Sequence, residues 1–235
     1  MSRGAFSTAQ LVRARRLGPR ARLAVVAAFL AFVPFTALLL LVVVGNDPLL
    51  DLDSALESDM HGYAVAHPGF TSAMRAVSTV ATPVAWWAVL VPLTVVLLVL
   101  RQFRSAAFVP VTFLSSVGLN RALKALAARP RPVLPHPVAH AGGFSFPSGH
   151  AQAATVGCGI VLVLVLPLLA RTWRITAIAA AALVAATVSF SRIALGVHFM
   201  TDVVGGLLVG ACWVLAMAAA FGVRPTPQTA KGGTA

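Results

Sequence analysis

Three short segments of this chain carry side chains that could do chemistry together. They are Lys124 with Arg129 and Arg131-Pro132, then Pro147-Ser148-Gly149-His150, then Ser191-Arg192 with His198 and Asp202. Lys124, Arg131 and Arg192 are cations with no acid nearby except Asp202. Such a cluster repels itself unless an anion fills it. Phosphate suits it, because guanidinium groups bind phosphate oxygens in pairs and an ammonium adds a compact point charge.

Ser148 and Gly149 lie where a loop is expected to turn into a helix. The backbone N–H groups at such a position can point at a bound anion, and the positive end of the helix dipole adds to the attraction. We therefore expect both residues to contribute to the phosphate site, next to the three cations.

The two histidines of these segments supply reactive groups. His198 and Asp202 are four residues apart, so on a helix they share one face, about 5–6 Å apart at Cβ. The carboxylate can then accept the Nδ1 proton and leave Nε2 free to attack. His150 has no such orienting acid in the sequence, and it is the natural general acid for a leaving oxygen.

Other polar residues are interpreted as structural. Arg121 and Arg129 are assigned as interfacial anchors at a span end, since long basic side chains commonly extend toward the membrane surface. The remaining histidines are expected in the proline-rich loop or on the surface: His136, His140, His61 and His67. Cys158 and Cys212 lie in apolar runs and are interpreted as small core residues, with neither a disulfide nor a metal site.

The composition indicates which kind of structure positions the cations and histidines of the three segments. Of 235 residues 59% are hydrophobic and only 10% are charged, whereas a soluble domain is roughly 25% charged. The formal charge of +12 would indicate a nucleic-acid partner in a soluble chain, but the long apolar runs exclude that class. The sequence predicts an all-α polytopic membrane protein, a bundle of six transmembrane helices. The predicted spans are Leu23–Val44, Ala76–Leu100, Ser105–Asn120 (short unless it continues through Lys124), Ala151–Ala170, Ile175–Ser191 and Val203–Val223.

Charge distribution predicts the orientation. Residues 1–22 carry six arginines, and basic residues collect on the cytoplasmic side. We expect a basic cytoplasmic segment at 1–22, a membrane domain at 23–223 and a cytoplasmic tail at 224–235. The two inner loops and the tail then add six cations and no acid, while all six acids lie outside. The three chemical segments fall on the extracytoplasmic side of a plasma membrane.

Two outer connections are long enough to have structure of their own. Asp51–Tyr63 has Leu52, Leu56 and Met60 at helical spacing, which is typical of a short amphipathic helix on the membrane surface. A solvated loop explains the same pattern equally well. The connection from Ala125 to Gly149 contains five prolines and is expected to be stiff and non-helical.

The three segments resemble the signature of the type 2 phosphatidic acid phosphatase superfamily, which has the pattern K-x6-R-P, then P-S-G-H, then S-R-x5-H-x3-D. Every position of that pattern is present between Lys124 and Asp202. The resemblance implies a metal-independent phosphoric monoester or pyrophosphate hydrolase without a cofactor. By this resemblance, His198 would form a phosphohistidine, Asp202 would stabilise its charge and His150 would protonate the leaving oxygen. The phosphoryl oxygens would be held by Lys124, Arg131, Ser148, Gly149 and Arg192.

The expected substrate is a lipid phosphate, because residues at span ends can receive a headgroup while the hydrocarbon tail stays in the bilayer. Polyprenyl pyrophosphate, phosphatidylglycerol phosphate and phosphatidic acid all fit this description. Two alternatives stay open: a phosphotransferase that uses the same covalent step, and a membrane protein that binds or transports phospholipids without turnover. The sequence does not indicate an oligomeric state.

Overall fold

The computed structural model describes residues 19–223, and all regular structure in that range is helical. Most of the predicted N-terminal segment (1–22) and the whole predicted tail (224–235) lie outside the described residues. The eight α-helices of the described range are α1 (Pro19–Val44), α2 (Asp47–Ala66), α3 (Pro68–Val80), α4 (Trp87–Val99), α5 (Phe103–Ala127), α6 (Gly149–Val165), α7 (Arg171–Ala194) and α8 (Met200–Phe221), and a short 3-10 turn (Leu166–Leu168) follows α6.

The last helix, α8, is the centre of the bundle. It packs against α1, α5 and α6, and it also contacts α2 and α7. A hydrophobic core that includes Phe108, Phe113 and Ile160 joins α4, α5, α6 and α8. The outer faces of the long helices expose Leu, Val and Phe side chains, as expected for helices that face lipid.

Five helices of the described range are long and apolar enough to cross a membrane: α1, α5, α6 with its 3-10 turn, α7 and α8. The predicted third span continues beyond Lys124, because α5 ends at Ala127. Helix α4 is apolar but has only 13 residues, a length of about 20 Å at 1.5 Å per residue. Residues 19–223 thus contain five helices of membrane-spanning length and one shorter apolar helix, where six full spans were predicted.

The predicted second span, Ala76–Leu100, is not one helix. Helix α3 ends at Val80 and α4 begins at Trp87, with turns between them. Pro83 lacks the N–H that a continuous helix needs, and the Thr82 hydroxyl accepts the Ala85 N–H at 3.1 Å instead. The break has a packing function, since the Trp86 ring lies directly against Gly157 of α6, where a Cβ would be 2.2 Å from the ring.

The connection between α1 and α3 is a regular 20-residue helix, α2, and not a loop. Asn46 caps it by accepting the Leu49 N–H at 3.2 Å. The face turned into the protein is polar and comprises Asp53, Glu57 and His61 together with Ala64. Leu52, one of the three apolar residues at helical spacing, is 47% exposed and lies on the face turned away from the protein. The surface position predicted for His61 is wrong, because the side chain is buried and its Nε2 lies 2.7 Å from the Pro135 carbonyl.

Helices α6 and α8 approach each other closely through glycines. A Cβ on Gly206 would lie 2.6 Å from the Ser148 carbonyl oxygen, and a Cβ on Gly210 would lie 2.9 Å from Thr155 Cβ. Small residues at helix contacts allow backbones to pack tightly in membrane proteins. This contact holds the start of α6 against the start of α8, where the chemical segments meet.

We predict that Gly206→Ala destabilises the protein, because the added methyl group displaces the Ser148 carbonyl. Overpacking of this kind costs about 1–3 kcal/mol. The purified protein in detergent should unfold several degrees lower in a thermal scan. Gly118→Ala in α5 is the matched control, since a Cβ there meets nothing within 4 Å. Equal melting temperatures for the two variants would contradict the tight contact.

Candidate active site

His198 lies in the short connection between α7 and α8 and is 2% exposed. The turn that carries it depends on Gly196, which has φ +65°, a conformation that residues with a side chain rarely adopt. A Cβ on Gly196 would also lie 2.4 Å from Leu134 Cδ1. The turn therefore packs closely against the loop between α5 and α6 and holds His198 at the base of the site.

Asp202 and Arg131 fix the orientation and the tautomer of His198. The ring Nδ1 lies 3.2 Å from Asp202 Oδ2, and Nε2 lies 3.1 Å from Arg131 Nη1. A guanidinium group can only donate hydrogen bonds, so Nε2 must be the acceptor and its lone pair faces Arg131. The remaining ring proton then belongs on Nδ1, where the carboxylate accepts it. This is the tautomer that a nucleophilic Nε2 requires.

Burial lowers the pKa of His198 to about 4, although the adjacent carboxylate of Asp202 opposes the shift. The positive charges of Arg131 and Lys124 lower the pKa of His198 further. The imidazole is therefore neutral at neutral pH and keeps the lone pair on Nε2.

Backbone carbonyls hold two of the three predicted phosphate-binding cations. Arg131 donates to Gly143 O at 2.9 Å, Gly142 O at 3.0 Å and Val197 O at 2.6 Å. Lys124 donates to Ser145 O at 3.0 Å and also to the carbonyl of Phe144. These contacts orient the cations without neutralising them.

Arg192 and His150 meet α3 on the other side of the site. Arg192 is 8% exposed and donates to the Ser78 hydroxyl, while its Nε is buried without a partner. His150, in the first turn of α6, is half-buried and approaches the Ser78 backbone carbonyl. It is close enough to His198, Arg131 and Arg192 to interact electrostatically with each of them.

The cluster has an excess of positive charge. Within the described range, the salt bridges involve Arg129 and His198 and leave Lys124, Arg131 and Arg192 without a carboxylate partner. Arg131 lies within electrostatic range of both other cations. The three predicted cations are therefore brought together, and an anion with several oxygens would complement them.

The turn at Ser148 differs from the expectation in one respect. The Ser148 N–H donates to the Asp202 backbone carbonyl at 2.8 Å, so it is not available to an anion. The Ser148 hydroxyl is buried without a partner and is the group this residue can offer. Gly149 begins α6, where the first N–H groups of a helix have no partner within the helix.

Two buried amides hold this turn from below. Asn120 Nδ2 donates to Gln152 Oε1 at 2.8 Å and lies 3.3 Å from the Pro147 carbonyl. Gln152 Nε2 in turn donates to the Ser116 carbonyl at 2.8 Å. Polar groups this deep are costly unless paired. Their pairing fixes the P-S-G-H turn relative to α5.

The interpretation of Arg129 as an interfacial anchor is wrong. Its side chain is 7% exposed and bridges two carboxylates, Asp202 and Asp53, at 2.8 Å each. The guanidinium also lies 4.1 Å from the centre of the Phe199 ring. The sequence carried one signal for this network, since Asp53, Glu57 and His61 share a helical face at intervals of four residues.

The other residues that were assigned structural roles lie outside this cluster. Arg121, His67, His136 and His140 are exposed, and both cysteines are free and half-buried. Within residues 19–223 there is no group of three or more His, Cys, Asp or Glu side chains that could hold a metal ion.

The fold and the site together define a helical membrane protein with a buried histidine in a cluster of cations suited to a phosphoryl group. Residues 105–225 match the family model of the PAP2 superfamily, slightly more than half of the chain, and the chain belongs to that family.

A sequence match and a structural match, both from Bacillus subtilis, agree with this assignment. Phosphatidylglycerophosphatase B of strain 168 is 41% identical over 95 residues, which are 39% of this chain and 46% of the relative. The aligned part thus spans about half the length of that relative. The crystal structure described as the first transmembrane PAP2-type phosphatidylglycerolphosphate phosphatase from this organism has a TM-score of 0.67 at 26% identity. The alignment covers 83% of this chain and 94% of that one.

We predict that orthovanadate and inorganic phosphate raise the thermal stability of the detergent-solubilised protein. A ligand at 100 times its Kd stabilises the folded state by about 2.7 kcal/mol. Arg192→Gln should reduce the shift in melting temperature, whereas Arg121→Gln, at an exposed position of α5, should preserve it. A shift that is unaffected by loss of Arg192 would place the anion elsewhere.

Proposed function

We propose that this protein is a membrane lipid phosphatase that hydrolyses a phosphomonoester or pyrophosphate headgroup. One observation carries the proposal. His198 has its Nδ1 proton directed at Asp202 and its Nε2 lone pair directed at Arg131, in a cluster whose cations have no carboxylate partners. A phosphoryl group that replaces Arg131 as the neighbour of His198 Nε2 would lie next to this nucleophilic nitrogen. Its oxygens would also lie among the positive charges that complement them.

In the first step, the Nε2 lone pair of His198 forms a bond to phosphorus while the bond from phosphorus to the leaving oxygen breaks. The ring becomes positively charged, and Asp202 stabilises that charge through the Nδ1 proton. His150, in its protonated form, gives its proton to the leaving oxygen. The products are a phosphohistidine and a lipid alcohol, or a lipid monophosphate where the substrate is a pyrophosphate.

In the second step, neutral His150 removes a proton from water, and the water oxygen attacks phosphorus. The bond between phosphorus and Nε2 breaks and returns the lone pair to His198, with release of inorganic phosphate. A cavity of about 520 Å³ is lined by Arg131, Gly196 and Val197, and we assign it as the path for water and phosphate.

The proposed reaction is metal-independent and uses no cofactor. Phosphoryl transfer depends mainly on positioning and on stabilising charge on the equatorial oxygens. Lys124, Arg131 and Arg192 supply that charge, and the Ser148 hydroxyl and Gly149 N–H supply neutral donors. Their arrangement supports these roles, because backbone carbonyls and a hydroxyl hold the three cations and no carboxylate in residues 19–223 forms a salt bridge with them.

An apolar groove supports a lipid substrate. It has a volume of about 470 Å³ and lies between α3, α4 and α7, with Thr187 its most polar lining residue. Two lining residues, Val188 and Val184, lie one and two turns before Arg192 on α7. One end of the groove therefore adjoins the phosphate site, and we propose that it receives a hydrocarbon chain of the substrate.

Phosphatidylglycerol phosphate is the first substrate to test, since the names of the matching sequence and of the matching structure both refer to activity on it. Polyprenyl pyrophosphate and phosphatidic acid share the headgroup chemistry and complete the panel. The basic N-terminal segment supports a site on the extracytoplasmic side of the plasma membrane.

We predict that the detergent-solubilised protein releases inorganic phosphate from at least one member of this panel, and that His198→Ala abolishes release. Removal of a nucleophile leaves only the small contribution of binding. Asp202→Asn should lower kcat by about 100-fold or more with a smaller effect on KM, because it removes charge that is needed after attack begins.

His136→Ala is the matched control, since His136 lies on the exposed part of the loop between α5 and α6, and its activity should equal that of the wild type. The assay is repeated in EDTA. Unimpaired turnover by His198→Ala would reject the nucleophile, and loss of activity in EDTA that a divalent metal restores would reject the metal-free mechanism.

We predict that Val184→Trp, which fills the groove, raises KM for a long-chain substrate by about tenfold. Exclusion of two methylene groups at about 0.8 kcal/mol each has this effect. KM for a dibutanoyl analogue, whose chains are too short to reach Val184, should stay unchanged.

The control is Val96→Trp on the exposed face of α4, since Val96 does not line the groove. An equal rise in KM for long and short chains, or an equal effect of both tryptophans, would contradict the assignment of the groove.

A further inference from the structure

The polar face of α2 contacts both loops of the site, and the proposed reaction does not account for it. Asp53 is 1% exposed, and Glu57 and His61 are also buried. His61 contacts the Pro135 carbonyl in the loop that carries Arg131. Glu57 Oε1 lies 3.3 Å from the position of a Cβ on Gly196, in the turn that carries His198. Helix α2 is thus the element against which both loops are placed.

Asp53 makes the most contacts on this face. Its Oδ2 accepts from Arg129 Nη2 at 2.8 Å and from the Thr201 hydroxyl, and its Oδ1 accepts the Thr201 N–H at 3.1 Å. One carboxylate from α2 thereby holds both the loop that follows α5 and the first turn of α8.

Arg129 connects Asp53 to the residues of the site. Its Nη1 donates to Asp202 Oδ1 at 2.8 Å, while Asp202 Oδ2 faces His198 Nδ1 at 3.2 Å. A continuous chain of contacts therefore runs from Asp53 through Arg129 and Asp202 to His198. All four side chains are at least nine-tenths buried, so their charges are weakly screened.

The net charge of Asp53, Arg129 and Asp202 taken together matters for the reaction. Arg129 alone would cancel the negative charge of Asp202, but Asp53 adds a second negative charge, and the three groups together carry −1. Arg131, Lys124 and His150, which interact electrostatically with His198, are positive or become positive on protonation. Glu57 and His61 of α2 face Gly196, two residues before His198 in the same turn. The Asp53–Arg129–Asp202 trio is the negative counterpart to the charge that appears on His198 during attack.

We propose that Asp53 is a positioning residue of the reaction, which acts through Arg129 to hold Asp202 in place and to preserve the negative charge that His198 requires. This inference rests on the proposed function. It also assigns a role to α2, which the motif residues between Lys124 and Asp202 do not include.

The test is a charge cycle of three variants: Asp53→Asn, Arg129→Gln and the double variant. Asp53→Asn makes the trio neutral, so protonation of His198 becomes less favourable and its pKa falls. We expect kcat at pH 7 to fall about tenfold with little change in KM. When kcat/KM is plotted against pH, the acid limb, where activity falls as His198 is protonated, should move to lower pH by about one unit.

Arg129→Gln leaves two negative charges, so its acid limb should move to higher pH. The double variant restores a net charge of −1, and its acid limb should return close to that of the wild type. A purely structural role predicts losses of activity that accumulate, with no opposite shifts and no compensation.

Asp59→Asn, at an exposed position of the same helix, is the control and should behave as the wild type. The vanadate-induced rise in melting temperature is measured for each variant, so that a misfolded protein is recognised. Wild-type kcat and an unmoved acid limb in a folded Asp53→Asn would overturn the inference. This outcome differs from failure of the proposed function, in which the wild-type protein itself would release no phosphate.

Discussion

The carboxylate of Asp202 is the contact on which the site depends. It faces His198 through one oxygen, accepts the Phe199 N–H at 3.0 Å through the same oxygen, and binds Arg129 through the other. The backbone carbonyl of Asp202 also accepts the Ser148 N–H. One residue in the first turn of α8 thus joins the His198 turn, the Arg129 loop and the start of α6.

A fully buried carboxylate is costly unless several donors surround it. The bundle supplies these donors because its helices pack tightly. The glycines of α8 let α6 come close enough for the Ser148 contact, and Gly196 lets the His198 turn pass beneath Leu134. The membrane imposes the same requirement on the whole chain, since buried polar groups find few water molecules there. The hydrogen bonds of Asn120 and Gln152 follow from this constraint.

The sequence predicted the helical membrane fold and most of the site for physical reasons. Long apolar runs require membrane helices, and the spacing of His198 and Asp202 predicted their proximity, although His198 lies in the turn before α8 and not on the helix. Three results depended on tertiary contacts that spacing does not encode. Arg129 looked like any basic residue at a span end until Asp53 was found against it. The second apolar run looked continuous, although Pro83 and the packing of Trp86 divide it. The N–H of Ser148 was expected to be free, and a residue far along the chain occupies it.

The break in the second apolar run leaves a groove, and a ligand in that groove is best described by its concentration in the membrane and not in water. The groove beside the break is lined almost entirely by apolar side chains of α3, α4 and α7 and of the turns between α3 and α4, so the hydrocarbon chain that we propose for it would exchange with neighbouring lipids and not with water. The occupancy of the groove then depends on the mole fraction of ligand in the lipid or detergent that surrounds the protein. Adding detergent at constant total ligand dilutes that layer and lowers occupancy, even though the number of moles per litre has not changed.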